Sequence, residues 1–250
     1  MANAAVIEAS ETYASAMRNI APPGPGGCAV CWTFVSSDYG TCISCGRQPR
    51  QLDSVVPITY SVAFGQMHTA LRGYKDDPPE SRQYPARRLL AILWRFLEEH
   101  EACVARASNV SAFDVVTLVP SSTTSSEASR GHLRRLVHVC GPVADRYQAV
   151  LVPAADAPPS SHTYNAARYE TTGSLTGARV LLIDDTWTAG AHAQSAGAAL
   201  RAAGATTVSA VVIGRHVDPT WRVTDDKTSE DCWAELPRAF DWGLCAVHER

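Results

Sequence analysis

Nowhere in its 250 residues does this chain string together the roughly 18 apolar residues that a membrane-spanning helix needs. A basic stretch leading into an apolar run is missing from Met1–Ile20, which carries Glu8 and Glu11 instead, so no secretory leader is expected there. Positive charge is not in excess: the formal net charge is −3, which excludes a bulk electrostatic pull toward nucleic acid or anionic lipid. Any anion must therefore be held locally, by backbone amides and a few arginines. Internal repeats are absent as well. These absences predict a cytoplasmic protein with no membrane insertion.

What is present looks globular. With 46% hydrophobic and 19% charged residues the chain has enough apolar surface to exclude a disordered polymer. Its length suits one substantial core, or one core plus a small module. Of the 8 cysteines, four fall in two Cys-x-x-Cys pairs, Cys28/Cys31 and Cys42/Cys45, separated by ten residues. Two such knuckles can place four thiolates tetrahedrally around one Zn²⁺. Redox or disulfide pairs are the alternative, which the lack of an export signal disfavours. A closed four-cysteine site has no position open to water, so its role is structural or in recognition. Cys232, Cys245 and His248 are scattered and read as buried apolar filler rather than a second site.

The organisation follows from punctuation and periodicity. Residues 1–27 read as a short alanine-rich helix and a Pro/Gly linker, and 28–50 as a zinc-ribbon module. Residues 51–217 read as an α/β domain, and 218–250 as a tail of uncertain structure. Within the α/β domain, Val55–Phe64, Phe113–Val119, Ala149–Val152, Val180–Ile183 and Val208–Gly214 are apolar strand candidates. Helical patterns separate several of them: Met67–Tyr74, a long amphipathic helix with Pro85 near its start, one around Leu133–Tyr147, and Ala191–Ala203 closed by Gly204. Residues 153–174 show no period and read as a long mobile loop, of a kind that is functional or disordered, with Arg168 and Tyr169 read as exposed on it rather than as ligand contacts. Alternating strands and helices predict a parallel sheet.

The informative stretch is Arg179-Val-Leu-Leu-Ile-Asp-Asp-Thr-Trp-Thr-Ala-Gly-Ala-His192. Asp184 and Asp185 fall at the carboxyl end of a strand, where open α/β sheets bind ligands. Gly190 allows backbone to approach a ligand closely. Amides of the following turn and the positive end of the next helix make an anion site. Two carboxylates beside an anion site suit the two hydroxyls of a ribose rather than the anion itself.

This stretch resembles the phosphoribosyl-pyrophosphate (PRPP) motif of type I phosphoribosyltransferases. Asp184 and Asp185 match the catalytic ribose pair, and Thr186, Trp187, Thr188, Ala189, Gly190, Ala191 and His192 match the phosphate-binding loop. Ala189 and His192 stand where the motif usually has threonine. A four-cysteine module ahead of such a domain resembles the ComF-like branch, associated with DNA uptake in competent bacteria. Leu71-Arg-Gly-Tyr-Lys75, Val116–Pro120 and Arg130-Gly131-His132 resemble that branch's stretches in the same order. The resemblance implies a parallel-sheet phosphoribosyltransferase fold, Mg²⁺ arriving with PRPP, and transfer of phosphoribose to a nitrogenous acceptor. It also places pyrophosphate in a loop at Ser121, Ser122, Thr123 and Thr124, helped by Arg130. A binding role toward a ribose 5-phosphate nucleotide, single-stranded DNA or a competence-type partner is the alternative. Arg87, Arg88, Arg134 and Arg135 read as solvated helix faces rather than as a DNA-facing patch.

Overall fold

A computed structural model of the chain describes residues 3–21, 24–120, 127–156 and 163–248. Helix α1 (Ala4–Glu11) opens it, its first turn closed by the Asn3 side chain accepting from the Val6 amide at 3.0 Å. The cysteine segment contains the single-turn helix α2 (Ile43–Gly46). Strand β1 (Ser54–Val62) then leads to α3 (Gln66–Asp76) and the long α4 (Pro79–Ala107). Strand β2 (Val115–Leu118) and helix α5 (Glu127–His138) follow, then a short antiparallel pair, β3 (Leu151–Pro153) with β4 (Tyr169–Thr171). Strand β5 (Arg179–Trp187), helix α6 (Ala191–Ala202) and strand β6 (Thr207–Val217) complete the alternation, and α7 (Ser229–Ala234) lies in the tail.

Four strands form one sheet in the order β1-β6-β5-β2, every neighbouring pair parallel. The fold is therefore α/β with a parallel sheet, as the alternating pattern predicts. Side-chain parity along the strands divides the core into two layers. Ile58 and Tyr60, Leu181 and Ile183, Val211 and Ile213 pack in one cluster with Leu71, Tyr74, Leu93 and Phe96 of α3 and α4. The alternate residues Val55, Val180, Leu182, Val208 and Val212 join Ala196 and Leu200 of α6, and Cys28, Cys31 and Cys45, in the other. Both faces are covered, as a parallel sheet requires. Each aliphatic side chain buried completely here contributes roughly 1.5–3 kcal/mol.

Several boundaries differ from expectation, each for a physical reason. Helix α4 begins at Pro79 rather than at Pro85, because a proline in the first helical position costs no hydrogen bond. Pro85 sits inside it. Helix α5 runs from Glu127 to His138 and stops well before Tyr147, since Gly141-Pro142 cannot continue a helix. Strand β5 extends through the aspartate pair to Trp187, because β6 is long enough to pair Thr186 with Gly214 and Trp187 with Arg215. The stretch expected as an unstructured loop contributes β4, which pairs with β3.

The tail is docked onto the N-terminal part of the chain. A capping box between Thr228 and Asp231 starts α7. The Asn19 side chain donates to the Asp241 carbonyl and accepts from the Asp241 amide, both at 2.8 Å. The Arg18 guanidinium lies 4.7 Å over the Trp233 ring and that of Arg95 4.2 Å over Trp242.

Candidate functional site

Strand ends place the site. The carboxyl ends of β2 and β5 and the start of α6 open into a cleft of about 800 Å³. Thr117–Pro120, Asp184–Ala193, His68, Tyr74, Lys75 and His216 line it. All seven residues of the motif loop and both aspartates therefore share one wall. The pyrophosphate assignments at Ser121, Ser122, Thr123 and Thr124 lie outside the described residues. Arg130 falls in α5, and its side chain is likewise undescribed.

The two aspartates are adjacent in a strand and so point to opposite faces of the sheet. Asp185 turns toward α3, where it accepts a hydrogen bond from the Tyr74 hydroxyl and forms an ion pair with Lys75. Burial lifts the Tyr74 phenol well above its ordinary range, and the Asp185 charge adds to this, so the hydroxyl remains a donor. Burial alone would lower the Lys75 ammonium; the facing Asp185 and Asp184 carboxylates outweigh it and raise the group. Asp184 is half-buried on the other face, with an oxygen accepting from the Asp185 amide at 2.9 Å. Burial, followed by the Asp185 charge, pushes its carboxyl up to about 8, against the pull of Lys75.

The turn after β5 is only Thr188-Ala189-Gly190. Gly190 takes a left-handed conformation, φ 80°, at the N-cap of α6. A Cβ there would meet Trp187 ring carbons at 2.1–2.8 Å, so the buried indole lies directly against the glycine backbone. Gly190 starts a 12-residue helix whose first turn, Ala191–Ala193, lines the cleft, so the positive end of the helix lies at its wall.

His192 is not simply a substitute for a threonine. Its Nδ1 lies 2.8 Å from the Tyr169 hydroxyl, which itself donates to the Pro120 carbonyl at 3.0 Å. Because the phenol proton goes to Pro120, the imidazole proton must sit on Nδ1 and point at the Tyr169 oxygen. Burial, then the nearby Asp184, raises the phenol, so it stays protonated. This chain of contacts fastens the end of β2, strand β4 and the motif loop to one another. The expectation that Arg168 and Tyr169 are exposed is wrong: their exposures are 1% and 3%. Tyr169 opens β4 and is held inward by its contacts with Pro120 and His192, and Arg168 is buried just ahead of the strand.

The cysteine module abuts the back of the same loop. Cys31 Sγ and Cys42 Sγ are 3.8 Å apart, and the four sulfurs all lie within 4.8 Å of one another. A tetrahedron with metal–sulfur bonds of about 2.3 Å has edges of about 3.8 Å. The Cys42 amide donates to Cys28 Sγ at 3.3 Å and the Cys45 amide to Cys42 Sγ at 3.5 Å, the kind of contact that supports thiolates. The four cysteines can hold one metal ion. Trp32 ties the module to β1 through its indole N–H on the Val55 carbonyl at 2.7 Å. Gln48 Nε2 donates to the Ala189 carbonyl at 2.9 Å. The buried Arg215 bridges the Cys31 carbonyl at 3.1 Å and the Trp187 carbonyl at 3.0 Å. The cysteine module and the turn after β5 are thus one hydrogen-bonded unit.

No family model and no curated protein matches this chain. Its site is therefore read from its own chemistry. In the sequence Tyr74 and Lys75 stand out only through the resemblance of Leu71–Lys75, which assigns them no role. A signal was available: the chain has only two lysines, Lys75 and Lys227, against twenty arginines. The arginines considered for a DNA-facing patch diverge. Arg88 stacks on Tyr13 and Tyr84, at 5.4 and 5.9 Å, whereas Arg134 lines the cleft.

Proposed function

We propose that this chain is a ComF-like protein with a type I phosphoribosyltransferase fold, binding PRPP with Mg²⁺ and transferring phosphoribose to a small nitrogenous acceptor. One observation carries the reading. Asp184, Asp185 and the glycine-capped start of α6 line a single cleft at the carboxyl ends of parallel strands. Asp184 and Asp185 accept hydrogen bonds from the ribose hydroxyls. The Thr188 hydroxyl and the first amides of α6 hold the 5-phosphate, and the His192–Tyr169 contact keeps that helix start in register with β2. Bound with PRPP, Mg²⁺ neutralises pyrophosphate charge; it retains waters and phosphate oxygens and so asks for few protein ligands. The protein's share of the chemistry is positioning and electrostatics rather than covalent participation. Zn²⁺ fits the four-cysteine site, whose sulfur spacing suits it, and free thiols in that arrangement suit a reducing, cytoplasmic setting.

One observation favours a second reading. Asp185 is already engaged by Tyr74 and Lys75, and the loop lacks two of the usual hydroxyls at Ala189 and His192. A non-catalytic protein that binds a ribose 5-phosphate nucleotide or single-stranded DNA would tolerate both. Calorimetry with PRPP, with and without Mg²⁺, combined with a pyrophosphate-release assay over a panel of nitrogenous acceptors, separates the two. Asp184→Asn combined with Asp185→Asn is expected to weaken PRPP at least about tenfold while the chain stays folded, from roughly two lost hydrogen bonds to charged groups. Binding without release selects the second reading. Failure of the wild type to bind PRPP, any ribose 5-phosphate nucleotide or a single-stranded oligonucleotide overturns both.

A further inference from the structure

The strongest cluster outside the cleft joins the two ends of the fold. On α4, His100 and Cys103 are three residues apart and share a helix face. In the tail, Cys245 and His248 have the same spacing in the opposite order, with the His248 amide on the Cys245 carbonyl at 3.1 Å. One donor atom from each of the four residues lies within 4.8 Å of every other. The geometry points to a second metal site, in which His100, Cys103, Cys245 and His248 hold one tetrahedral Zn²⁺ that fastens the tail to α4.

The contacts around the cluster fit that role atom by atom. Cys103 Sγ is 3.9 Å from His100 Nδ1 and 3.7 Å from His248 Nδ1. Mixed sulfur–nitrogen edges around zinc are about 3.5 Å, so these two pairs need to close by only a few tenths of an ångström. His100 Nε2 is 2.6 Å from the Trp242 carbonyl. A carbonyl there takes the proton of Nε2 and leaves the lone pair on Nδ1, which faces the sulfur. Ligating histidines are oriented in this way by an acceptor behind the ring. Arg106 Nη2, 3.4 Å from Cys103 Sγ, adds positive charge beside a prospective thiolate. The two imidazoles meet edge to face with centroids 5.8 Å apart, an arrangement that directs one nitrogen of each inward.

Simple core packing does not account for this arrangement. Apolar filler has no need of two imidazoles whose nitrogens converge on a sulfur. Nor does a disulfide account for it: all four residues bring a donor to one point, and both cysteines are free. Two sulfurs and two nitrogens in a closed tetrahedron are the donor set of a structural zinc. The sequence reading missed the site because its two halves are separated by more than 140 residues and one half lies on a helix counted as core. Cys232, the third tail candidate, is not in the cluster.

The test uses the full chain purified under reducing conditions. Metal analysis after equilibration with micromolar Zn²⁺ is expected to give two ions per chain. Cys245→Ser and His248→Ala should each give one, and Cys42→Ser should also retain one. Replacement by Co²⁺ distinguishes the ions. The ion left in Cys42→Ser should show roughly half the sulfur-to-cobalt charge-transfer intensity of the ion left in His248→Ala, because two thiolates rather than four hold it. Wild-type stoichiometry in both tail variants overturns the proposal, and so does a wild-type chain that never takes a second equivalent. Should both tail variants fail to fold, cobalt titration of the wild type decides. A second equivalent with the weaker band supports the site, and a single spectral species overturns it.

Discussion

On the α6 face of the sheet, the cysteine module and the turn beside the cleft come from compact stretches of chain: Cys28–Gln48 and Thr186–His192. On the α3 and α4 face they come from far apart, with Tyr74 and Lys75 meeting Asp185, and His100 and Cys103 meeting the tail. The first face was legible in sequence because close spacing is itself a geometric constraint. Two Cys-x-x-Cys knuckles ten residues apart have few ways to fold other than toward each other, and a strand followed by Asp-Asp, threonine and glycine has few ways to present its amides. The second face was not legible, because nothing local to Lys75 or His248 specifies what lies across the core from it. The difference also divides the labour. The local face carries the turn proposed to hold an anion, whereas the non-local face supplies the cation and phenol that engage Asp185.

The largest effect should come from breaking the local face at its metal. Cys42→Ser removes one of four ligands, and structural zinc sites supply on the order of 10 kcal/mol of folding free energy to small modules. The variant should lose the ion of this site, and amides of residues 28–50 should exchange faster while β1, β5 and β6 remain protected. Because Gln48 and Arg215 join the module to Ala189 and Trp187, protection should also fall at the turn after β5. Hydrogen exchange read by mass spectrometry checks both. A turn as protected as in the wild type would show the two parts to be independent.

Next in size is Gly190→Ala. The added methyl meets the Trp187 ring, and the position has positive φ, so overpacking and backbone strain combine to about 2–4 kcal/mol. Thermal or denaturant unfolding should register this as a lowered midpoint. Substitution at Gly173, where a Cβ meets nothing within 4 Å, is the control and should be nearly silent.

Lys75→Met sharpens the comparison from the other face. It leaves the buried Asp185 carboxylate without its cation. Since Lys75 is partly solvent-exposed, the cost should be about 1–2 kcal/mol, below that of breaking a wholly buried pair. The variant should also raise the Asp184 carboxyl further, because Lys75 is the charge that holds it down. A carbonyl-region infrared titration of wild type and variant reads that movement directly. An Asp184 band that titrates identically in both would mean that the two faces are not electrostatically coupled.

What was legible and what was not can be followed residue by residue. Strands β1, β5 and β6 were visible as apolar β-branched runs, since strands buried on both faces need no polar alternation. Tyr169 was invisible as an anchor, because β4 is three residues long and its partner β3 is distant in the chain. His192 was read as a possible phosphate ligand from its place in the motif. Its hydrogen bond to Tyr169, which fixes the proton on Nδ1, depends on a contact that no spacing encodes.

The pH dependence is the most discriminating, because it joins the two faces through one proton. An unfolded aspartate titrates near 3.9, while Asp184 in the folded chain is raised to about 8. The native state therefore binds the proton more tightly than the unfolded state does. The stability associated with protonated Asp184 is complete below about pH 4 and is lost progressively until pH passes about 8. Asp184→Asn should flatten that part of the stability profile, becoming relatively more stable than the wild type as pH rises. Ligand binding carries the opposite sign. A ribose diol donates its hydroxyls to carboxylate oxygens, so binding favours ionised Asp184 and should expel a proton at pH 7. PRPP affinity should then rise between pH 6 and 8 in the wild type. Calorimetry in two buffers of different ionisation enthalpy should detect release of part of one proton per bound PRPP, and Asp184→Asn should abolish it. Proton uptake, or no exchange at all, would mean that Asp184 does not face the ribose, and that the cleft binds its ligand through the α6 amides alone.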